Sequence, residues 1–376
     1  MPALPVAKIC PRGVEPVDRV LITGFPGLVA RQLATRLLQK DAIINCLVPR
    51  DKVKEAVGQA DQLCRANGAD RERFILHTGD ITMQYMGMGM KTWKALARET
   101  DYVFHAAALS DLSAPPHLAE QVHVLGTDMV NSFCLECRQL KRYVYFSTCY
   151  VCGTHRGDFR EDDLELGQDF YNHHQRTRHF AEVRVQSLAG ELPLTILRPA
   201  TMVGDSGRGS ADVSDGLYHL MEFIWRFRRL PLPRIGNYRA AFNLVPVDYV
   251  AEAALCLAAK DNTAGSVFQL ADTNPRTVGE VYSRLTKIIA GKKPSWRLPF
   301  WLLSLLLRLA SLERLTGLDR QRLIYQQQHM NFSTRNTREA LAGSGIVCPD
   351  IMTVLPALTA CFLARRQRLG TKGVDG

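Results

Sequence analysis

Residues 171–182 read YNHHQRTRHFAE and place histidine and arginine side chains close together in the sequence. Histidine exchanges a proton near neutral pH, and arginine binds anions such as phosphate and carboxylate. The segment therefore offers either acid–base chemistry or an anion-binding patch. On a helix its basic side chains point in different directions, so they cannot all converge on one ligand. We expect His173, Arg176 and His179 to lie on a solvated face or against a neighbouring lobe.

A second candidate for chemistry is the glycine-containing loop in RVLITGFPGLVARQLATRLL, residues 19–38. Glycine lets the backbone turn tightly and approach a pyrophosphate, whose charge is stabilised by the N–H groups and dipole at the start of a helix. Ala30 occupies the third position of the TGxxGxxG pattern, which favours close helix–strand packing and leaves the phosphate site open. The pattern predicts a dinucleotide-binding loop formed by Thr23, Gly24, Phe25, Pro26 and Gly27.

The residues after the second apolar run concern the choice of cofactor. Arg50 stands in VPRD, where an NAD-preferring site usually offers a carboxylate to the ribose hydroxyl. A guanidinium suits the 2′-phosphate of NADP. We therefore predict that NADP is preferred, while the neighbouring Asp51 keeps NAD as an alternative.

The elements that position these residues follow from an alternation of short β-rich runs and helical patterns. This alternation predicts an α/β fold, a Rossmann-type doubly wound parallel sheet with helices on both faces. Ligands bind such sheets at the carboxyl ends of the strands. The predicted strands are 19–23, 42–48, 73–77, 101–107, 142–147, 194–199 and a return to the sheet near 267–272.

The second half of the chain loses this regularity, which predicts a smaller, mainly helical substrate lobe. We expect the NAD(P)-binding Rossmann domain to span residues 17–200 and to be completed by about 241–275. The lobe then comprises residues 201–240 and 276–365. The polar tail, residues 366–376, is predicted to be disordered.

The composition bounds the class of protein and its partners. The chain has 376 residues and a formal net charge of +10, which favours an anionic partner such as a nucleotide cofactor, an acidic carrier protein or a membrane surface. We expect no nucleic-acid partner. The longest apolar run, residues 299–312, is shorter than the ~20 residues that cross a bilayer. A cytoplasmic protein is predicted; peripheral contact with the inner face of a membrane and a homodimer are open alternatives.

Two CxxC pairs, Cys134/Cys137 and Cys149/Cys152, resemble a split zinc site in spacing. The predicted strand between them spans about 20 Å, so the first pair lies at its bottom and the second above its top. The two pairs cannot share a metal ion. We therefore predict no metal site and reduced, mostly buried thiols.

Taken in order, the motifs resemble an extended short-chain dehydrogenase/reductase, specifically the thioester-reductase-like and fatty-acyl-reductase-like branch. The resemblance runs from about residue 18 to 364. It rests on TGFPG (23–27), LVPR (47–50), HTGDI (77–81), MGMGMKTW (86–93), VFHAAA (103–108), YFSTCYVCG (145–153), LRPATMVGDSGRG (197–209) and NLVPVDYVAEA (243–253).

The resemblance implies roles for several residues around the cofactor. Asp80 and Ile81 are expected to flank the adenine, and Ala106 and Ala107 to line the cofactor. Thr148 is implied as the hydroxyl that hydrogen-bonds the substrate carbonyl, and its place after a strand agrees with this. The other reading of Thr148 is a hydroxyl that caps the loop.

The family's catalytic Tyr-x-x-x-Lys pair is replaced in this chain. The spacing places His174 at the tyrosine and Arg178 at the lysine, one turn apart on one helical face. In the family the tyrosine protonates the carbonyl oxygen, and the lysine assists it and holds the nicotinamide ribose. His174 is then the candidate acid, although Arg178 nearby disfavours its protonated form, and Arg178 is the candidate ribose contact. His123 is a third departure, at a position where the family usually has asparagine.

These features lead to two hypotheses for the function. The favoured one is a divergent NAD(P)-dependent oxidoreductase of an acyl or other lipid-like carbonyl, presented as a small molecule or on a carrier. The rival is a catalytically inactive protein that uses the nucleotide-bound fold as a sensor, a scaffold or a peripheral membrane protein. Retention of the phosphate loop and Thr148 is compatible with both, and the replaced residues favour the rival.

Overall fold

A computed structural model describes residues 18–109, 111–112, 114–207, 216–309, 315–318, 323 and 330–371. Its strands are β1 Arg19–Thr23, β2 Ile43–Val48, β3 Phe74–Thr78, β4 Tyr102–His105, β5 Arg142–Phe146, β6 Gly157–Phe159, β7 Leu194–Pro199, β8 Thr201–Val203, β9 Pro233–Ile235, β10 Leu244–Pro246, β11 Ser266–Leu270, β12 Trp296–Leu298 and β13 Met330–Phe332. Its α-helices are α1 Leu28–Leu38, α2 Val53–Asn67, α3 Met90–Glu99, α4 Pro116–Glu120, α5 Gly126–Glu136, α6 His173–Gln186, α7 Gly216–Arg226, α8 Val247–Ala258, α9 Val278–Ala290, α10 Phe300–Leu306, α11 Arg335–Leu341 and α12 Ile351–Thr371.

Seven strands form one central sheet, in the order β11-β7-β5-β4-β1-β2-β3, and every pairing is parallel. The predicted α/β fold is therefore confirmed. The chain builds β1, β2 and β3 outward in one direction and then crosses back over β1 to place β4 on its other side. The carboxyl ends of β1 and β4 border the crevice created by this reversal, where doubly wound folds bind their ligands.

Helices cover both faces of the sheet because the central strands are apolar on both sides. The burial pattern of β4 and β5 is continuous rather than alternating, as expected for parallel strands between two helical layers. One face packs against α1, α2 and α8 through side chains such as Leu33 and Val250. The other packs against α3, α5 and α6 through side chains such as Trp93 and Phe133.

A separate hydrophobic cluster lies in the second half of the chain, as expected of the predicted lobe. Helices α7, α9 and α12 form its centre, with Ile224, Leu285 and Leu358 fully buried. Three short parallel pairs, β10 with β8, β12 with β9 and β13 with β6, accompany the main sheet. The division of the chain into two domains stays a prediction.

The predicted disordered tail requires a correction at its start. Helix α12 continues through Thr371, and residues 372–376 lie outside the described ranges. Leu355 and Phe362 anchor the helix in the lobe core, and Arg366 forms an ion pair with Glu222 of α7. These contacts extend the helix into a segment whose composition alone indicated disorder.

In the part of the chain that the structure describes, no helix is both long enough and apolar enough to cross a bilayer. Within the same ranges, no three histidine, cysteine, aspartate or glutamate side chains are grouped in a way that could hold a metal ion. Cys134, Cys149 and Cys152 are buried and free.

Candidate active site

The loop after β1 is held against the end of β4 so closely that it requires glycine. Gly24 has a φ of +91°, and a Cβ there would lie 2.8 Å from the backbone of Ala106 and Ala107. A Cβ on Gly27 would lie 2.7 Å from the carbonyl oxygen of Gly24, which also accepts the Gly27 N–H. Both predicted glycines are thus structurally required, and the loop contacts the backbone of Ala106 and Ala107.

Helix α1 begins at this loop with its first N–H groups available to a ligand. Gly27 is the N-cap residue and supplies no side-chain cap, and the first turn contains no acidic residue. Such a helix start fits a pyrophosphate group. The Phe25 side chain is directed into the core, with its ring centroid 5.2 Å from that of Phe74, so only its backbone belongs to the loop surface.

A buried hydrogen-bond chain lies beneath the loop. The Thr23 hydroxyl accepts the Ala107 N–H at 3.2 Å and lies 2.7 Å from Nδ1 of His105. Nε2 of His105 lies 3.0 Å from the Thr127 hydroxyl. Burial, reinforced by the charge of Arg178, lowers the pKa of His105 to about 3, so the ring stays neutral and ties β4 to β1 and α5. Thr23 therefore stabilises the loop from below.

The residues predicted for the adenosine side lie at the ends of β2 and β3. Arg50 is exposed in the turn after β2. Asp80 is also exposed, and its carboxylate accepts the N–H and hydroxyl of Thr82, each at 2.8 Å. Ile81 is 7% exposed and its side chain packs against Gly126, where an added Cβ would lie 2.7 Å away. Ile81 thus joins the core with its side chain.

Thr148 directly follows β5 and begins the turn Cys149–Cys152. Its hydroxyl accepts the Tyr150 N–H at 3.3 Å and donates to the Pro199 carbonyl at 3.4 Å. Both bonds are long, and the residue is only partly buried. The loop-capping role considered above is therefore present in the structure. The hydroxyl has one proton, so to donate to a substrate oxygen it must give up its long bond to the Pro199 carbonyl.

His174, in the first turn of α6, binds the chain segment that follows β4. Its Nε2 lies 3.1 Å from the carbonyl oxygen of Leu109. Because a carbonyl only accepts, this nitrogen carries a proton and donates it. The same peptide segment is bound by His123, whose Nε2 accepts the Leu109 N–H at 3.1 Å. The two histidines therefore hold the N–H and C=O of one residue.

His123 is a structural group in this arrangement and is fully buried. Since its Nε2 accepts, Nδ1 carries the proton and donates to the Thr177 hydroxyl at 2.8 Å. Burial, together with the charges of Arg178 and His174, lowers the pKa of His123 to about 2. His123 lies in a π-helical turn, Gln121–Leu125, between α4 and α5. In the sequence, the only sign of a special role for His123 was that the family usually has asparagine at this position.

Arg178 is directed inward from α6. Its guanidinium donates to the carbonyl of Phe146, the last residue of β5, and lies 5.5 Å from the centroid of the Tyr145 ring. The side chain is 5% exposed. Arg178 therefore supplies a buried positive charge directly below the Thr148 turn, against which α6 packs.

A buried ionic network behind the site was not predicted. Glu182, one turn beyond Arg178, accepts a hydrogen bond from Arg198 Nε at 2.7 Å, and both side chains are fully buried. Ser147 donates to the other carboxylate oxygen. Arg198 also donates to the Glu161 carbonyl at 3.1 Å. Arg198 within the otherwise apolar strand β7 was the only sequence signal, and the residues of the network are far apart in the chain.

The structure thus brings together most of the predicted site residues at the carboxyl ends of the sheet strands. Thr23 and Gly24 contact Ala106 and Ala107, His174 contacts the segment after β4, and Arg178 contacts the end of β5. Arg50 and Asp80 follow the neighbouring strands β2 and β3 at the same end of the sheet. In the described part of the chain they form no contact with those other residues.

The glycine loop, the helix start and the crevice between β1 and β4 define a dinucleotide-binding protein of the doubly wound class. Residues 22–254, more than half of the chain, match the NAD-binding family described as male sterility protein. The chain therefore belongs to this family, in agreement with its resemblance to extended short-chain dehydrogenases/reductases.

Three known proteins show the extent of the similarity. The chain is 27% identical over 271 residues to the non-canonical nonribosomal peptide synthetase FrzA of Cladobotryum sp, covering 67% of this chain and 26% of that protein. It is 24% identical over 273 residues to the aldehyde reductase lnbA of Aspergillus flavus, covering 68% and 26%. The crystal structure of the terminal R domain from the myxalamid PKS-NRPS biosynthetic pathway has a TM-score of 0.80 at 24% identity, covering 95% of this chain and 93% of that one. The chain spans about a quarter of the length of these two curated relatives.

Proposed function

We propose that this chain is an oxidoreductase that transfers hydride between NADP(H) and an acyl or other lipid-like carbonyl, presented as a small molecule or on a carrier. The observation that carries the proposal is the attachment of His174 to Leu109, which holds an imidazole at the end of β4 on the helix that packs against the Thr148 turn. The relatives named as an aldehyde reductase and as an R domain support the substrate class.

The bound nicotinamide cofactor supplies the hydride. In the proposal the Thr148 hydroxyl donates a hydrogen bond to the substrate carbonyl and orients it. His174 acts as an imidazolium, which carries two N–H groups, one for Leu109 and one for the substrate oxygen. Arg178 contributes positive charge, and its contact with the ribose is part of the proposal.

The preference for NADP rests on Arg50. Its exposed guanidinium stands at the end of β2, where a 2′-phosphate can be bound by charge-assisted hydrogen bonds. Membership of an NAD-binding family supports the nicotinamide cofactor in general, and the phosphate preference is the finer proposal. A cytoplasmic location and a homodimer stay predictions.

A second candidate, a nucleotide-binding sensor or scaffold without turnover, is favoured by one specific observation. The Nε2 proton of His174 and the guanidinium of Arg178 are both already donated to backbone carbonyls, of Leu109 and Phe146. If these bonds persist with substrate and the His174 ring stays neutral, its single proton is already donated, and the site binds the cofactor but lacks an acid. In that case His174→Tyr with Arg178→Lys, which restores the family's pair, is expected to gain activity over a silent parent.

The deciding experiment has two stages. Binding of NADPH and NADH is first measured by titration, and hydride transfer is then followed by nicotinamide absorbance with aldehydes, ketones and acyl thioesters. The oxidoreductase predicts binding and oxidation of the cofactor with at least one substrate class. Binding without transfer to any class contradicts it and supports the sensor.

A further inference from the structure

Exposed apolar side chains cluster around α10, on the lobe and away from the cofactor loop. Trp301 and Leu305 lie one turn apart on α10 and are 68% and 51% exposed, and Leu309, three residues beyond the end of the helix, is 58% exposed. Trp296, just before the helix, and Leu230, beside the strand pair β9–β12, are also largely exposed. We call these five residues the α10 surface. An exposed apolar patch of this kind marks a site of interaction.

The fold holds this surface in place rather than leaving it loose. On the opposite side of α10, Leu303 and Leu307 are buried in the lobe core. Strand β12 pairs with β9, and the Trp296 indole N–H donates to the Pro231 carbonyl at 3.1 Å. The helix is therefore apolar on two faces, and only one face has a partner in the described part of the chain.

The segments that carry the α10 surface are strongly basic. Residues 223–247 contain five arginines and no acidic residue. Residues 281–312 contain six lysines and arginines and, again, no acidic residue. The pairing of β9 with β12 brings the two segments side by side. Exposed cations therefore adjoin the apolar side chains, with Arg297 next to Trp296 and Arg308 next to Leu309.

A groove beside the surface adds a place for an anionic headgroup. Arg234, Tyr238, Ser283 and Lys293 line it, together with Thr277, Gly279, Glu280 and Pro294. Glu280 is the acidic member, and its carboxylate is engaged by the N–H and hydroxyl of Thr277 in a capping box. Arg234 and Lys293 are exposed and available to a phosphate.

We propose that the α10 surface docks the protein on an anionic phospholipid membrane. Trp301, Leu305 and Leu309 insert among the upper acyl chains, while the surrounding cations contact the lipid phosphates. A seven-residue helix is about 10 Å long, which suits insertion at the interface and not a span. The inference does not depend on the proposed oxidoreductase activity.

Charge distinguishes a membrane from the other candidates for this surface. A symmetric contact with a second copy of the chain would place two basic faces against each other, which costs free energy. An acidic carrier domain would satisfy the cations, yet its polar surface would leave the exposed Trp and Leu side chains without apolar partners. An anionic bilayer satisfies both features at once.

The test is co-sedimentation of the whole chain with vesicles of phosphatidylcholine alone and of phosphatidylcholine with phosphatidylglycerol. We expect binding to the anionic vesicles, weaker binding to neutral ones, and weakening by salt. Lys293→Gln with Arg297→Gln should lower the affinity roughly 30-fold, at about 1 kcal/mol for each cation. Trp301→Glu should abolish binding.

Leu135→Glu is the matched control, because Leu135 is an exposed leucine at the end of α5, remote from the lobe. It should bind vesicles like the parent chain, and all variants should keep the parent's circular dichroism and NADPH affinity. Equal binding of the Trp301→Glu and parent chains, or absence of binding to anionic vesicles, overturns the proposal. Vesicle-independent dimerisation abolished by Trp301→Glu, or capture of an acidic carrier domain by this face without vesicle binding, also overturns it.

Discussion

The rings of His123 and His174 stand edge to face, with centroids 4.9 Å apart and planes at 88°, and bind the two polar groups of the same residue. Leu109 donates its N–H to His123 and accepts a hydrogen bond from His174. Two of the three substituted positions of the candidate site, 123 and 174, are therefore coupled through one backbone unit. A substitution of either histidine is therefore expected to shift Leu109 and alter its hydrogen bond with the other histidine.

The first prediction concerns acid stability. The unfolded chain binds a proton at His123 near pH 6.5, whereas the folded chain does so only near pH 2, because burial and nearby charges oppose the imidazolium. Between these values the unfolded state holds more protons, so the free energy of unfolding falls as pH falls below 6.5. His123→Asn removes this group and should flatten the decrease.

Urea unfolding of both chains at a series of pH values between 3 and 7 measures this effect. His117→Asn is a suitable control, because His117 is exposed on α4 and should leave the slope unchanged. An identical pH slope in the His123→Asn and parent chains would show that His123 does not remain neutral in the fold.

The second prediction separates the cofactor loop from general glycine effects. Gly24→Ala places a methyl group against the backbone of Ala106, so the loop must shift. Both NADPH and NADH should then bind more weakly, by about 5- to 150-fold for a strain of ~1–3 kcal/mol. Binding weakens because the added methyl group clashes with the backbone after β4, and not because the methyl group occupies the phosphate site. Gly58→Ala adds the same methyl in open space on α2 and should stabilise the chain by about 1 kcal/mol. Equal cofactor affinity in both variants would contradict this account of the loop.

The third prediction tests cofactor choice. Arg50→Ala should weaken NADPH roughly tenfold or more, the value of a charged hydrogen bond, and leave NADH nearly unchanged. Lys52→Ala, two residues later in the same exposed turn, controls for loss of a positive charge. Titration of each variant with both nucleotides is the measurement. A parent chain with the same affinity for the two nucleotides refutes the preference.

The fourth prediction concerns the buried network. Glu182→Ala leaves Arg198 as an unpaired charge in the interior and should lower the free energy of unfolding by about 3–5 kcal/mol. The double change Glu182→Leu with Arg198→Met removes both charges and should cost less than Glu182→Ala alone. Denaturant unfolding of the two variants decides the matter, and a double variant less stable than the single one would show that packing around the pair matters more than its charges.

Local patterns were sufficient to predict most of the fold. The β1 and β7 ranges agree with the predicted strands, and the other sheet strands differ at their ends by one to two residues. Gly24 and Gly27 were predictable because a strand and an amphipathic helix flank them directly. The helical end of α12 was missed because its stability comes from burial of Leu355 and Phe362 in the lobe, which composition does not reveal.

The interior of the site was not predictable in the same way. The position of His174 followed from the motif, but its bond to Leu109 joins residues 65 positions apart. The Glu182–Arg198 pair and its link to Glu161 likewise join separate elements. The sequence shows which of these residues are charged or titratable, but their partners are determined by tertiary packing.

The most direct test of the central claim is single-turnover hydride transfer by His174→Phe, with NADPH and a substrate that the parent chain reduces. Phenylalanine keeps a ring at this position but removes the proton donor. The role of His174 as the acid predicts that transfer falls by roughly 100-fold or more while NADPH affinity stays within about twofold of the parent. Unchanged transfer at every pH would contradict it, because His174 would then have no part in protonating the substrate.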